Sequence, residues 1–276
     1  MLKFLACLFM LLDHIGFYFS DYLPVPLMLV LRSIGRLAFP IFAWSVARGY
    51  TRTHNLVRYF LRMVIFAGLT EILLRLVHPY AGILMDWSNV LVTFSLALVF
   101  LAGYQMATRS TLDMIASLRP ISPTPNTLPT APRFDVRVNV GGIELDRRIG
   151  LPLGVLMMLL AMSAAIWLKP DYGIYGLCTV WVFYAAHDRV PEKDQFRWSW
   201  QGFALLNVLF LIFRLVTHDT SVDWAILQCL SVAAVPLCYL RRNEKKPGPA
   251  AKYAFYLFYP LHILLLLLLR IFIWPA

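Results

Sequence analysis

Residues 2–19 read Leu-Lys-Phe-Leu-Ala-Cys-Leu-Phe-Met-Leu-Leu-Asp-His-Ile-Gly-Phe-Tyr-Phe, an apolar run with a lysine near its start and an Asp-His pair deep inside it. A lysine ahead of an apolar stretch imitates a secretory signal. A cleaved signal closes on a small-residue Ala-x-Ala site, whereas this run continues through Asp13-His14 to Phe19, which predicts a retained membrane helix. Similar runs follow at 27–47, 56–77, 88–106, 151–168, 172–186, 200–216, 224–240 and 253–274. The composition agrees. Of 276 residues, 60% are apolar and 14% charged, against roughly 45–50% and 25% in soluble domains, and the mean hydropathy is +0.67. These values exclude a disordered tail, a collagen-like chain and an ordinary soluble enzyme. Because a bilayer offers no partners for open backbone groups, each run is expected to be helical. The predicted fold class is all-α, a polytopic membrane protein of about nine transmembrane helices.

The charges between the runs set an orientation. The segments holding Arg48 and Arg52; Arg109, Arg119, Arg133, Arg137, Arg147 and Arg148; Arg189, Lys193 and Arg197; and Arg241, Arg242, Lys245, Lys246 and Lys252 are basic. The alternate segments, 20–26, 78–87, 169–171 and 217–223, carry only Lys169 among their lysines and arginines. That alternation predicts a cytoplasmic N-terminus and an external C-terminus. The net charge of +10 is thus spread along the chain as topology demands and forms no nucleic-acid patch. Cys7, Cys178, Cys229 and Cys238 lie inside apolar runs without metal-type spacing, so no metal is expected.

The chain reads as a single membrane-embedded domain, 1–276, interrupted by a cytoplasmic Pro-rich loop or insert at 107–150. Pro120, Pro123, Pro125, Pro129 and Pro132 suit an extended linker. The stretch Phe134-Asp-Val-Arg-Val-Asn-Val140 then alternates apolar and polar residues up to Gly141-Gly142. Period two around a Gly-Gly pair signals a hairpin; a disordered loop is the competing reading.

Ionisable side chains inside the apolar runs ask for a reason, since each costs at least ~2.5–3.5 kcal/mol at the bilayer centre. Arg58, Arg62 and Arg270 can snorkel to an interface. Asp13, His14, Arg32, Arg36, Glu71, Arg75, Arg214 and His262 lie deeper. At ~1.5 Å per residue, His14 is about 16 Å in from Lys3, Arg36 about 18 Å from Arg48 and His262 about 15 Å from Lys252. These three share one layer. Arg32 and Arg36 are i,i+4 neighbours, as are Glu71 and Arg75, whereas Asp13 and His14, adjacent in sequence, point apart. Asp13 is therefore expected to neutralise an arginine rather than orient His14. Histidines at this depth suit general-base chemistry or a proton path, and arginines suit phosphate or oxyanion binding. An acyltransferase and a transporter or flippase both remain open, although no internal repeat of the kind many transporters carry is evident.

Several blocks carry a more specific signal. Leu12-Asp-His-Ile-Gly16, Ile34-Gly-Arg-Leu-Ala-Phe-Pro-Ile-Phe42, Gly49-Tyr-Thr-Arg-Thr53, Asn89-Val-Leu-Val-Thr-Phe94, Asp171-Tyr-Gly-Ile-Tyr-Gly176 and Lys252-Tyr-Ala-Phe-Tyr-Leu-Phe-Tyr-Pro-Leu-His262 resemble, in order, the sequence blocks of the TraX family. The stretch from about Ala107 to Arg148 departs from that pattern. The resemblance implies a bacterial inner-membrane protein linked to conjugation, transferring acetyl from acetyl-CoA to the N-terminal amine of pilin. Another envelope acceptor, a sugar or a lipid, is the alternative. On that reading His14 is the candidate base and His262 a second candidate or a proton relay, with Asp13 and Arg36 beside them. Arg32, Arg48, Arg52, Arg58 and Arg62 are candidates for the donor, although positive-inside topology alone also explains the outer members of that set. Glu71, Asn89, Thr93, Asp171 and Tyr172 would line the acceptor entrance or simply cap helices.

Overall fold

A computed structural model describes residues 2–83, 86–117, 137–140, 143–217, 222–240 and 248–273. The helices are α1 (Leu2–Tyr18), α2 (Val25–Gly35), α3 (Ala38–Arg52), α4 (Leu56–Val77), α5 (Val90–Ser117), α6 (Arg147–Trp167), α7 (Gly173–Arg189), α8 (Gln195–Val216), α9 (Val222–Cys229), α10 (Ala234–Leu240) and α11 (Pro249–Ile273). Every predicted apolar segment is thus largely helical. Two are divided, and a proline explains each division. Pro40 has no N–H for the carbonyl of Arg36, and α2 gives way to α3 across Arg36-Leu37. Pro236 does the same to Val232, where the 3₁₀ turn Leu230–Ala233 separates α9 from α10.

Five stretches among the described residues are long and apolar enough to cross a membrane: Val25–Arg52, Val90–Leu112, Ile149–Trp167, Glu192–Val216 and Tyr253–Ile273. The surface agrees with a lipid environment. Leu61, Ile65, Leu69, Ile72 and Leu76 stand exposed along α4, and Leu205, Val208, Leu209, Ile212 and Phe213 along α8. A water-soluble monomer rarely shows apolar faces that large. The chain is a multi-pass membrane protein.

The interior gathers on α3, α5 and α7, where Ile41, Leu98, Leu101, Leu177, Val180, Phe183 and Tyr184 are fully enclosed. α1 packs on α2, α3 and α11, and α11 also packs on α4. α5 and α6 approach backbone to backbone at Gly103 and Gly154: a Cβ on either would lie 2.5 Å from the other's carbonyl oxygen.

Helix α5 runs eleven residues past the predicted end at Met106, because no proline or glycine interrupts the sequence before Pro120. Strands β1 (Arg137–Val140) and β2 (Ile143–Asp146) pair antiparallel, with Arg137 opposite Asp146 and Val140 opposite Ile143. That is the hairpin rather than the disordered alternative. The proline cluster 120–132, Gly141-Gly142 and the basic residues Arg119, Arg133, Arg241, Arg242, Lys245 and Lys246 lie outside the described residues.

Candidate functional site

Three glycines let the polar residues meet. A Cβ on Gly35 would fall 2.3 Å from Asp13 Cβ and 2.7 Å from its Cα, and one on Gly16 would lie 3.1–3.2 Å from Leu31 and Arg32. α1 and α2 therefore touch almost backbone to backbone. A Cβ on Gly176 would fall 2.4 Å from Thr93 Cγ2, which seats the start of α7 against α5 in the same way.

The first contact encloses an ionic clamp. Arg32 Nη1 donates to Asp13 Oδ2 at 2.7 Å, and Arg36 Nη2 donates to Asp13 Oδ1 at 2.8 Å and Oδ2 at 3.0 Å. Asp13 and Arg32 are buried, and the ring of Phe17 lies 5.3 Å from the Arg32 guanidinium carbon. On its far side Arg36 Nη1 makes a long 3.4 Å bond to Gln228 Oε1, whose amide donates to Tyr175 Oη, which in turn donates to Asn207 Oδ1. The Nε–H of Arg36 is buried without a hydrogen-bond partner among the described residues. A guanidinium N–H in such a setting can stabilise negative charge brought against it.

Beside the clamp, His14 of α1 meets His262 of α11, 248 residues away, with Nδ1 and Nε2 at 2.7 Å. His262 Nδ1 lies 2.7 Å from the carbonyl of Phe258. A carbonyl only accepts, so His262 carries its proton on Nδ1 and offers a lone pair at Nε2. His14 must then donate from Nδ1, which leaves its Nε2 unprotonated. No residue among those described hydrogen-bonds that nitrogen. The same logic orders a second pair. His78 Nδ1 donates to Leu74 O at 2.7 Å, so its Nε2 accepts from Tyr18 Oη at 3.0 Å. Burial lowers the pKa of His78, against the upward pull of the Leu74 bond and of Glu71. Tyr18 is one turn from His14, with ring centroids 5.8 Å apart, and both clamp arginines lie within electrostatic reach of His14.

The outer residues divide into two groups. Glu71 accepts from Arg75 Nε at 2.8 Å and from the backbone and side-chain nitrogens of Asn89 at 3.1 and 2.8 Å. Glu71 and Asn89 thereby join α4 to the start of α5. Thr93 Oγ1 donates to the carbonyl of Asp171, and Asp171 N donates to Ser88 O at 2.8 Å. Asp171 is exposed at this rim, within electrostatic reach of Arg36, Asp13 and Arg32. Tyr172, held at φ 69, stacks on Phe39 at 3.7 Å. The four basic residues toward the other end do not line one pocket. Arg48 packs over Trp44 at 4.9 Å and Arg52 is exposed at the end of α3. Arg58 and Arg62 instead line a 530 Å³ groove between α4 and α11.

Sequence reasoning passed over Tyr18, His78, Tyr175, Asn207 and Gln228. A search for ionisable residues alone misses Gln228 and Asn207, whereas a search for any polar side chain inside an apolar run finds both. All but one of the matched blocks meet here: Asp13-His14, Gly35-Arg36, Asn89 to Thr93, Asp171 to Gly176 and His262 border the clamp, the histidine pair or the rim, while Gly49 to Thr53 lies at the far end of α3. Residues 1–270 match the family described as TraX protein. The chain belongs to the TraX family. No curated protein and no solved structure matches it. Membership in TraX accounts for the order of the blocks along the sequence, and the fold explains why blocks so far apart are found together.

Proposed function

We propose that the chain is an inner-membrane acetyltransferase that moves acetyl from acetyl-CoA to an amine such as the N-terminus of pilin. The observation that carries this reading is the hydrogen-bond chain from Phe258 O through His262 to His14, which leaves a lone pair on His14 Nε2. In the proposed reaction the neutral amine attacks the thioester carbonyl carbon while its proton passes to His14 Nε2. The negative charge that grows on the carbonyl oxygen is met by the open Nε–H of Arg36. The carbon–sulfur bond then breaks, the sulfur leaves as thiolate, and the proton on His14 completes the thiol. His262 is a positioning residue, holding His14 in the one tautomer able to act as base. Asp13 holds Arg36 in place through two charge-assisted bonds.

The same proposal takes all nine apolar segments as crossings, with the N-terminus in the cytoplasm and the C-terminus outside, as the charge alternation requires. Arg48 and Arg52, at the cytoplasmic end of α3, then face the phosphates of coenzyme A. Asp171 and Tyr172, with Thr93 buried beneath them, then mark the external rim, where an amine freed by signal cleavage would arrive.

Purified protein in liposomes, given acetyl-CoA and a peptide with a free N-terminus, tests the reading by mass spectrometry of the peptide. His14→Gln should lower transfer by about 10²–10⁴, the usual contribution of a general base, with unchanged thermal unfolding. Transfer by the variant at a tenth or more of wild type removes His14 from that role. Absence of transfer in wild type with several amine peptides removes the reaction.

A further inference from the structure

The groove between α4 and α11 takes no part in the chemistry proposed above and has a composition of its own. Its volume is 530 Å³, and Arg58, Arg62, Leu61, Ile65, Phe66 and Tyr253 are among its lining. Arg58 and Arg62 are one turn apart on one face of α4. Among the described residues no carboxylate forms an ion pair with either. Arg62 is pinned between two rings, its guanidinium carbon 5.7 Å from the centroids of both Tyr59 and Tyr256. Phe66 stacks on Tyr256 at 5.0 Å, which makes the floor firm. Beyond the guanidiniums the wall is apolar and open, with Leu61 51% and Ile65 58% exposed.

A free phosphate would use the two guanidiniums and leave that wall idle. A phospholipid uses both parts. We propose that this groove binds one anionic glycerophospholipid, its headgroup phosphate on Arg58 and Arg62 and an acyl chain along Leu61 and Ile65. The place fits the occupant: the N-terminal end of α4 follows the basic segment at Arg48 and Arg52. By the charge alternation that end lies at the cytoplasmic leaflet, where anionic headgroups attract basic side chains. The guanidinium fork gives two parallel bonds to a phosphate. The proposal stands whether or not the protein transfers acetyl groups.

Native mass spectrometry tests it on the purified full chain mixed with phosphatidylglycerol and phosphatidylcholine of identical acyl chains. Wild type should retain one phosphatidylglycerol, with about 30-fold preference from two surface arginines. Arg58→Gln with Arg62→Gln should bring the preference within about twofold of unity, and the double lysine variant should keep most of it. Ile65→Trp fills the acyl path and leaves the charges alone, so it should lower retention without moving the unfolding temperature. If the double glutamine variant does not fold, Ile65→Trp decides alone. An unchanged preference in the double glutamine variant overturns the proposal, as does unchanged retention in Ile65→Trp. Displacement of the lipid from wild type by millimolar inorganic phosphate or coenzyme A assigns the groove to a soluble phosphate and equally overturns it.

Discussion

Asp13→Asn isolates the charge of the clamp from its shape. The side chain keeps its volume, but one carboxylate that had faced two guanidiniums at 2.7 and 2.8 Å becomes neutral. An amide oxygen can still accept from one arginine, while the amide nitrogen is another donor and meets the second arginine donor to donor. Among the described residues the other acceptor for the Arg36 guanidinium is Gln228 at 3.4 Å, too long to compensate. Removing one member of a buried ionic cluster costs about 3–5 kcal/mol, because the remaining charge stays buried. Arg36→Gln should cost less, since Asp13 and Arg32 remain as a balanced pair. Neutralising all three positions at once should also cost less than Asp13→Asn alone. Reversible unfolding in mixed micelles, with helicity as the readout, gives the three free energies under one condition. A loss below about 1 kcal/mol for Asp13→Asn, or a larger loss for Arg36→Gln, would refute the account of the clamp as a carboxylate serving two cations.

Other outcomes follow from neighbouring contacts. Gly35→Ala places a carbon 2.3 Å from Asp13 Cβ and 2.7 Å from its Cα, so α1 and α2 must separate; overpacking of this kind costs about 1–3 kcal/mol. Unfolding within 0.5 kcal/mol of wild type would contradict it, an interval on the order of ordinary surface changes. Below pH 6.5, the ordinary value for a histidine, the buried His78 of the folded protein resists protonation more than it does in the unfolded chain. Stability from this group is therefore complete above that pH and is lost as pH falls toward the lower folded value. His78→Asn should flatten that part of the pH–stability curve, and an equal slope in both proteins would count against it.

The helices were largely legible because apolar length and charge alternation are local properties. Residues 56–77, read as one run, form α4 with those bounds. The break at Arg36-Leu37 is different: the apolar run 27–47 reads as continuous, and only Pro40 carries the signal that divides it. What the sequence left open was pairing. Asp13 was expected to meet an arginine and meets two. His14 and His262 were placed at one depth from helical rise, but depth does not specify azimuth, and only the packing of α1 on α11 brings the rings to 2.7 Å. Glu71 and Asn89 look like site residues by type. Their bonds to Arg75 and to each other make them a joint between helices, and no one-dimensional pattern distinguishes those roles.

The close seam of α1 with α2 also bears on biogenesis. In the nine-span arrangement proposed above, Asp13 emerges from the ribosome before Arg32 and Arg36, and each charge alone resists entry into lipid by about 2.5–3.5 kcal/mol. The two helices are joined by a short link, and Gly16 and Gly35 allow them to close with the Asp13 carboxylate already set between the two guanidiniums. The unit that the insertion machinery releases sideways into the bilayer is then a helical hairpin with one net charge in its clamp rather than a single segment with an unpaired carboxylate. Translation past Arg36 becomes the step that commits the chain to the membrane.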